Sequence, residues 1–525
     1  MNVSGERSKS LWMQTAGLER PAPLTEDARA DIVIVGAGMA GLSAAYELSR
    51  EGRSVVVLDR GPLAGGMSAR TSAHLASQFD DYYHRHVHLR GEDETRRYYE
   101  SQAAAIDRIE AIQQGEGIDC DFRRLDGFLF LAPGDDPMLL EHEIASCHRI
   151  GFSEVAWAER APIPGIDTGR CLRFPRQARF HPLRYLNGLV RCIRRDGGRL
   201  FADTPVDGIV EQGGEAVIST ATGATVRAGN AIIATNAPIN DWIAIHTKQA
   251  PYRTYVLAAR VPHGAVTDAL YWDTPDPYHY VRLQPGDGAS GGDDFLIVGG
   301  EDHKTGEASD TEERFARLEA WTRRCFPAAG AVEHRWSGQV MEPVDHAPLI
   351  GRNHGNQHIY VSTGDSGEGL TTGAVAGMLL RDLILGRDNP WARAYEPQRV
   401  TLGAVGEYVR ENATVAANFT EYVRPGELAS YDALRPGHGA VIRQGGRKVA
   451  AYRDEAGELH LHSAICSHAG CIVHWNDFER CWDCPCHGSQ FSVDGEPING
   501  PALTPLTEIA PAPAAESGGG GRRRA

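Results

Sequence analysis

The apolar residues of the chain fall into short runs separated by glycines and charged residues. Two such runs, Ile32–Val35 and Val55–Leu58, predict buried β-strands, and alanines and leucines at helical spacing between them predict a helix. Similar runs at 127–132, 231–237 and 359–362 predict three more strands, the last followed by a helix. Alternating strands and helices are typical of an α/β fold, which we expect for the larger, N-terminal part of the chain.

Helical patterns at 90–114 and 182–198 interrupt these strands, and the region 252–300 predicts a further group of strands. After residue 439 the pattern changes to short strands separated by glycine turns, which predicts a small antiparallel β-domain. No run reaches the roughly 18 apolar residues that a membrane-spanning helix requires. We therefore expect no transmembrane segment, and at most peripheral contact with a membrane.

A glycine motif lies between the first two predicted strands. Gly36, Gly38 and Gly41 form G-x-G-x-x-G at the turn from strand to helix, and Asp59 ends the second strand, before Arg60. This is the context of a dinucleotide site, in which the glycines let the backbone approach a pyrophosphate and the acid accepts hydrogen bonds from a ribose. A glycine turn without a ligand is the weaker alternative, because strand, glycines, helix and acid coincide. The motif alone does not separate NAD from FAD.

Composition and charge narrow the class of protein. The chain has 525 residues, enough for three domains, and a formal charge of −16, which argues against nucleic acid as a partner. The N-terminus has no apolar stretch typical of a secretory signal. Five of the ten cysteines lie between 466 and 486, and the scattered remainder indicates reduced thiols in a cytoplasmic protein.

Cysteines and histidines alternate in the most distinctive stretch of the chain. Cys466 and His468 form C-x-H, and after fifteen intervening residues Cys484 and His487 form C-x-x-H. Two thiolates and two imidazoles suit an iron–sulfur cluster with one Cys-ligated and one His-ligated iron. A structural zinc site takes the same ligand types, but C-x-H is a poor zinc spacing and zinc leaves the neighbouring cysteines unexplained.

This doubled motif, CSHAGC followed by CPCHGS, resembles that of Rieske [2Fe–2S] proteins. The resemblance implies that Cys466 and Cys484 bind one iron, and His468 and His487 the other. It also implies a disulfide between the two cluster loops, for which the matching residues are Cys471 and Cys486.

The loop Gly65–Leu75 and the glycine-rich stretch 359–377 resemble the FAD-binding segments of the D-amino-acid-oxidase/glycine-oxidase superfamily. The cofactor is therefore expected to be FAD, in a Rossmann-like domain with an inserted mixed-sheet substrate domain. The resemblance implies these further cofactor-binding residues: Arg60, Ser68, Arg70, Thr71, Val206, Gly364, Asp365, Gly367, Gly369 and Leu370. The second motif opens a helix whose positive end is expected to face the flavin.

The resemblance divides the chain into five segments. They are an N-terminal extension (1–27), the flavoprotein (28–390), a linker (391–428), the Rieske domain (429–512) and a disordered tail (513–525). Within the flavoprotein, FAD-binding parts are expected at 28–90, 170–240 and 335–390, and substrate-domain parts at 91–169 and 241–334.

Candidate catalytic residues come from strand alternation and from the flavin loop. Tyr280 and Arg282 share one face of a predicted strand, where Arg282 could hold a substrate carboxylate, although a solvated outer face gives the same pattern. His74 is a candidate because its loop is expected to pass the flavin. The charged residues 301–304, after the strand FLIVGG, are a secondary candidate.

The two cofactors predict an oxidoreductase. A small-molecule substrate, by superfamily analogy an amine or amino acid, is expected to give a hydride to FAD, and electrons to leave singly through the Rieske cluster to an external one-electron acceptor. No second G-x-G-x-x-G joins a predicted strand to a predicted helix, so NAD(P)H is not the expected donor. The alternatives are a flavin monooxygenase fed by the cluster and a non-catalytic, redox-responsive electron carrier.

Overall fold

The computed structural model describes residues 6–240, 245–286 and 292–510, so the predicted tail at 513–525 lies outside the described residues. Two large sheets form the N-terminal part and two small sheets form the C-terminal part. Within the described residues, the helices are α1 (Leu11–Thr15), α2 (Met39–Arg50), α3 (Tyr83–Arg90), α4 (Glu92–Gly115), α5 (Met138–Arg149), α6 (Pro182–Arg195), α7 (Thr311–Cys325), α8 (Gly369–Ile384), α9 (Ala392–Tyr395) and α10 (Val405–Asn418).

The first sheet has the doubly wound character that the glycine motif predicts. Its strands are β1 (Ala28–Val35), β2 (Val55–Leu58), β7 (Arg199–Phe201), β8 (Val206–Gln212), β9 (Glu215–Thr220), β10 (Thr225–Asn236), β16 (Leu349–Arg352) and β17 (Ile359–Thr363). The order β16-β17-β10-β1-β2-β7 is parallel from β17 to β7, which brings the carboxyl ends of β1, β10 and β17 to one edge. The apolar residues near these ends, at 32–35, 231–233 and 359–361, are buried, and α2 and α8 pack against the sheet.

The second sheet is mixed and forms one wall of the cavity described below. Its strands are β3 (His74–Leu75), β4 (Arg123–Phe130), β5 (Ala156–Ala158), β6 (Cys171–Arg179), β11 (Gln249–Val261), β12 (Leu270–Asp273), β13 (Tyr280–Gln284), β14 (Asp294–Lys304) and β15 (Val332–Pro343). β6 and most of β15 fall within the FAD-binding parts expected at 170–240 and 335–390, yet both pair in this sheet. The sheet therefore extends past both predicted boundaries, because strands adjacent in space come from distant parts of the sequence.

Two small antiparallel sheets follow the linker. Their strands are β18 (His438–Gln444), β19 (Arg447–Arg453), β20 (Leu459–Ser463), β21 (His474–Asn476), β22 (Cys481–Asp483), β23 (Gln490–Phe491) and β24 (Pro497–Asn499). The predicted fold class, an α/β flavoprotein followed by a small antiparallel β-domain, is confirmed.

Two segments that the sequence leaves without a role join these parts. In the N-terminal extension, the segment 6–12 buries most of its side chains: Ser10 Oγ donates to Ala69 O at 2.6 Å, and Trp12 Nε1 donates to Thr71 O at 2.7 Å. In the linker, α10 lies at the seam between the flavoprotein and the C-terminal domain. Its Glu411 accepts from Lys304 at 2.6 Å, and Asn418 Nδ2 lies 4.0 Å from Cys486 Sγ.

Candidate functional site

The two glycine-rich loops line one cavity at the carboxyl edge of the first sheet. Gly36 follows β1 with a φ of +103°, and a side chain there would collide with Ala234 O. Gly38 precedes α2, and a Cβ on it would meet only Ser68 Oγ, at 3.1 Å. This open backbone at a helix N-terminus fits the approach of a pyrophosphate.

Asp59 has a structural task in this loop. Its Oδ2 accepts from Ala37 N at 2.7 Å and its Oδ1 accepts from Gly61 N at 2.9 Å, so the carboxylate holds the glycine turn. Asp59 also lines the cavity, and a contact with a ribose stays a prediction. Arg60 and Val206 line a smaller neighbouring cavity, where Arg60 Nη1 donates to Pro497 O at 2.7 Å.

The second glycine-rich loop faces the first across the cavity. The loop begins after β17, and α8 starts at Gly369, so the positive end of this helix opens into the cavity. Burial raises the pKa of Asp365 to about 6, although backbone N–H groups in the loop oppose the shift. All the residues predicted from this motif line the cavity: Gly364, Asp365, Gly367, Gly369 and Leu370.

The flavin loop lines the cavity, and one of its side chains is bonded outside it. Ser68 and Thr71 line the cavity, and Ser68 Oγ accepts from Met39 N at 2.9 Å. Arg70 lines the cavity too, and its contact with FAD stays a prediction. Its buried guanidinium points out of the cavity to Glu6 at 2.6 Å and Glu479 at 3.0 Å, where it joins the N-terminal segment to the C-terminal domain.

The structure brings together two of the three predicted catalytic residues. His74 and Tyr280 line the cavity with ring centroids 5.6 Å apart, and Tyr280 Oη lies 2.7 Å from Thr254 Oγ1. Burial and the nearby charge of Arg282 lower the pKa of His74 to about 3, so its imidazole is neutral.

Arg282 itself does not line the cavity. Its guanidinium is fully buried and donates to Ala73 O at 2.7 Å and Phe180 O at 2.9 Å. It also bonds Gln284 Oε1 at 2.5 Å and lies over the Trp12 ring. Tyr280 and Arg282 share one face of the strand, as predicted. At Arg282, however, this face is covered by the backbone at Ala73 and Phe180, so the side chain does not reach the cavity.

Carboxyl groups are the cavity residues that the sequence reasoning largely missed. Asp80, Asp302, Glu342 and Glu368 all line it, and only Asp302 belonged to a predicted candidate, the charged group at 301–304. Burial, partly offset by neighbouring hydrogen bonds, raises the pKa of both Asp80 and Asp302 to about 7. No local pattern signals these residues, because they come from four separate elements.

The predicted cluster ligands meet at the tips of two loops. Each loop is closed by backbone hydrogen bonds: Gly470 N donates to Cys466 O at 3.1 Å, and Gly488 N donates to Cys484 O at 3.1 Å. The hydrogen bond with the Cys484 thiol is the main reason that the pKa of Cys466 falls to about 7.

The two predicted imidazole ligands are carried by the same two loops and lie next to each other. The rings of His468 and His487 are 5.0 Å apart, and His487 Nδ1 is a buried atom without a hydrogen-bond partner, as a metal-binding nitrogen would be. A pair of neighbouring thiols and a pair of neighbouring imidazoles on the same two loops fit a [2Fe–2S] cluster.

Cys471 and Cys486 form a disulfide that joins the two loops, as the resemblance implies. The sulfurs of Cys471, Cys484 and Cys486 lie within 4.8 Å of one another. Two of these sulfurs are bonded to each other, so this triad is not a metal site of its own. Cys481 is buried on β22, where burial raises the pKa of its thiol well above the usual range.

The cluster loops press against the flavoprotein. The buried ring of His246 lies 5.0 Å from that of His468 and 5.5 Å from that of His487. Gln339, which lines the cavity, donates from Nε2 to Gly488 O at 3.0 Å. One side chain therefore reaches from the cavity wall to the second cluster loop. The sequence gives no signal for the contacts of Gln339 and His246, since neither residue lies in a recognisable motif.

Comparison with known proteins agrees with this geometry. Residues 31–383 match the family model described as "FAD dependent oxidoreductase", and residues 426–510 match the "Rieske [2Fe-2S] domain" model. A Bacillus subtilis protein named as a Rieske 2Fe-2S iron-sulfur protein, YhfW, is 30% identical over 96% of this chain and 98% of its own length. Gamma-glutamylputrescine oxidoreductase of Escherichia coli is 27% identical over 73% of this chain and 90% of its own length.

The fold has solved relatives. Glycine oxidase from Geobacillus kaustophilus superposes with a TM-score of 0.59 at 17% identity, covering 71% of this chain and 99% of that chain. In the described residues, no helix combines the length and the apolar character needed to cross a bilayer. The chain belongs to the FAD-dependent oxidoreductase family and carries a C-terminal Rieske [2Fe–2S] domain.

Proposed function

We propose that the protein is a dehydrogenase that oxidises the CH–NH group of a small amine or amino acid and releases the electrons singly to an external acceptor. Bound FAD supplies hydride acceptance and the [2Fe–2S] cluster supplies one-electron transfer. The observation that carries the proposal is Gln339, which lines the flavin cavity and hydrogen-bonds the loop between Cys484 and Ser489.

The residues proposed to hold FAD supply backbone donors and helix ends. The N-terminus of α2 would receive the pyrophosphate, with Ser68 fixing the first amide of that helix and Asp59 fixing the turn before it. The N-terminus of α8, opening at Gly369, would favour negative charge at the flavin edge. His74, held neutral, would add no competing positive charge.

The substrate face of the cavity offers oxygen atoms and aromatic rings. Tyr278 donates to Asp80 Oδ2 at 2.5 Å, and Tyr280 bonds Thr254. Burial and nearby carboxylates raise the pKa of both phenols well above the usual range, so they are neutral hydrogen-bond donors at physiological pH. These groups orient and enclose a substrate, and none of them is required to remove a proton from carbon.

The cluster side supports electron passage within the chain. His246 covers the two imidazoles, and α10 closes the same seam through Asn412, whose Nδ2 donates to Thr247 O at 2.9 Å. The two imidazoles that would hold one iron of the cluster therefore face the flavoprotein. An external carrier would approach from another side of the cluster loops.

An anaerobic screen tests the substrate half of this proposal. Holoenzyme mixed with a panel of amines and amino acids is expected to lose its flavin absorbance with no other reductant present. If only an added reductant such as NADPH, or reduction of the cluster first, bleaches the flavin, the direction of electron flow is reversed and the monooxygenase alternative holds. If no reductant leads to turnover, the non-catalytic carrier holds.

A further inference from the structure

The cavity carries an excess of half-buried carboxyl groups in the part formed by the loop before α3 and by β14 and β15. Asp80, Asp302 and Glu342 come from these three elements and lie close enough that each affects the ionisation of another. The Tyr278 hydroxyl donates a hydrogen bond to Asp80 Oδ2, but this neutral group brings no positive charge to balance the carboxylate. A carboxylate that a cavity holds away from bulk water without a countercharge is costly, so this arrangement favours a bound cation.

A second observation points to a ligand. Glu368 is 9% exposed and lines the same cavity. Its Oε2 accepts from Tyr98 Oη at 2.7 Å, whereas its Oε1 is buried and has no hydrogen-bond partner. Asp302 Oδ1 is in the same condition. Glu368 Oε1 and Asp302 Oδ1 therefore receive no hydrogen bond from the described protein groups, and a ligand could supply one.

The cavity offers nothing that would bind a substrate carboxylate by charge. Arg70 is the one arginine or lysine in the described lining, and its guanidinium is paired with Glu6 and Glu479 outside the cavity. Arg282, the arginine expected to hold a carboxylate, is bonded to backbone elsewhere. An amino acid would bring its carboxylate into an acidic surrounding.

We propose that the substrate is a diamine or polyamine without a carboxylate, and that Asp80, Asp302 and Glu342 hold the ammonium group distant from the reacting carbon. The inference rests on the proposed function for the reacting end of the molecule. Asp80, Asp302 and Glu342 together form what we call the acid wall. An ammonium group has three hydrogen-bond donors, and the several carboxylate oxygens of the acid wall are matching acceptors.

Three compounds of similar length separate the charge requirements. Anaerobic holoenzyme is titrated with putrescine, pentylamine and γ-aminobutyrate, and the concentration that half-saturates flavin bleaching is measured. We expect putrescine to act at a concentration about tenfold lower than pentylamine, equivalent to one added charge contact, and γ-aminobutyrate to be weakest. Bleaching by γ-aminobutyrate at a concentration equal to or below that of putrescine would overturn the inference.

Variants of the acid wall test whether its carboxyl groups hold the second ammonium group of the substrate. Asp302→Asn and Glu342→Gln are each expected to weaken half-saturation by putrescine about tenfold and to change that of pentylamine by less than about twofold. Asp93→Asn, at an acid whose side chain is 81% exposed, is the matched control. Flavin content and the cluster's circular dichroism report whether each variant is folded. Equal losses for both compounds in both variants would refute a role in holding the second ammonium.

The two proposals fail separately. If no compound bleaches the flavin, the proposed dehydrogenation is wrong, and binding is then measured by calorimetry on the oxidised holoenzyme. Saturable heat with putrescine that Glu342→Gln reduces supports the acidic site. No heat with putrescine contradicts it.

Discussion

Glu479→Gln should loosen the attachment of the Rieske domain to the flavoprotein. The Glu479 carboxylate is fully buried and accepts from Ser8 N at 3.0 Å, Ser8 Oγ at 2.6 Å, Ser337 Oγ at 2.6 Å and Arg70 Nη1 at 3.0 Å. An amide keeps one acceptor oxygen but turns an NH₂ group toward these donors and removes the charge opposite Arg70. Breaking a buried ion pair from one side costs about 3 to 5 kcal/mol, and the retained oxygen places this variant near about 3 kcal/mol.

Urea unfolding followed by the circular dichroism of the cluster measures the change in unfolding free energy. About 3 kcal/mol corresponds to a more than hundredfold change in the folded-to-unfolded ratio. Glu455→Gln is the matched control in the same domain. Glu455 pairs with Arg480 at 3.0 Å but is 68% exposed, so we expect a loss within about 0.5 kcal/mol.

A Glu479→Gln protein as stable as the Glu455→Gln control would refute this reasoning. It would mean that the buried network joining the N-terminal segment, the flavin loop and the Rieske domain does not hold them together. The structural link between the two cofactor sites would then need another basis.

Three further predictions concern groups in or near this network. Burial raises the pKa of Glu6 from 4.5 to about 7, so between these pH values the folded protein binds more protons than the unfolded chain. The unfolding free energy therefore falls as pH rises through this range. Glu6→Gln should flatten this pH dependence in calorimetric scans, and an unchanged slope would contradict the prediction. Arg282→Met should lower the midpoint of thermal unfolding and leave the half-saturating substrate concentration unchanged, because the Arg282 guanidinium donates to backbone carbonyls and not into the cavity. A selective loss of substrate affinity would instead support its predicted role of holding a substrate carboxylate. Replacing both Cys471 and Cys486 by alanine removes a link across 15 residues and should cost about 3 kcal/mol, seen as faster cluster loss to a chelator; equal rates in variant and wild type would argue against it.

Features encoded by local sequence were predicted well. Gly36 and Gly369 stand where a strand ends and a helix begins, and such a turn is specified by the few residues around it. The disulfide partners Cys471 and Cys486 followed from the Rieske resemblance, because both lie inside the doubled motif.

Features that depend on tertiary packing could not be read from the sequence. Arg70 meets a glutamate 409 positions away, and no local pattern announces that pairing. Strand alternation placed Arg282 on the face of Tyr280, but it gives no information about where along a strand a cavity ends. The acid wall was missed for the same reason, since Asp80 and Glu342 are ordinary polar residues until the fold brings them together.

Passage of electrons from flavin to cluster within one chain is the central claim, and freeze-quench EPR tests it most directly. Holoenzyme is mixed anaerobically with an amine that bleaches the flavin, and the reduced-cluster signal is recorded at intervals in wild type, Gln339→Ala and the exposed-site control Gln398→Ala. We expect a cluster signal that follows flavin bleaching without any mediator, delayed in Gln339→Ala and unchanged in Gln398→Ala. A flavin that bleaches completely beside a cluster that stays oxidised until a mediator dye is added would contradict it.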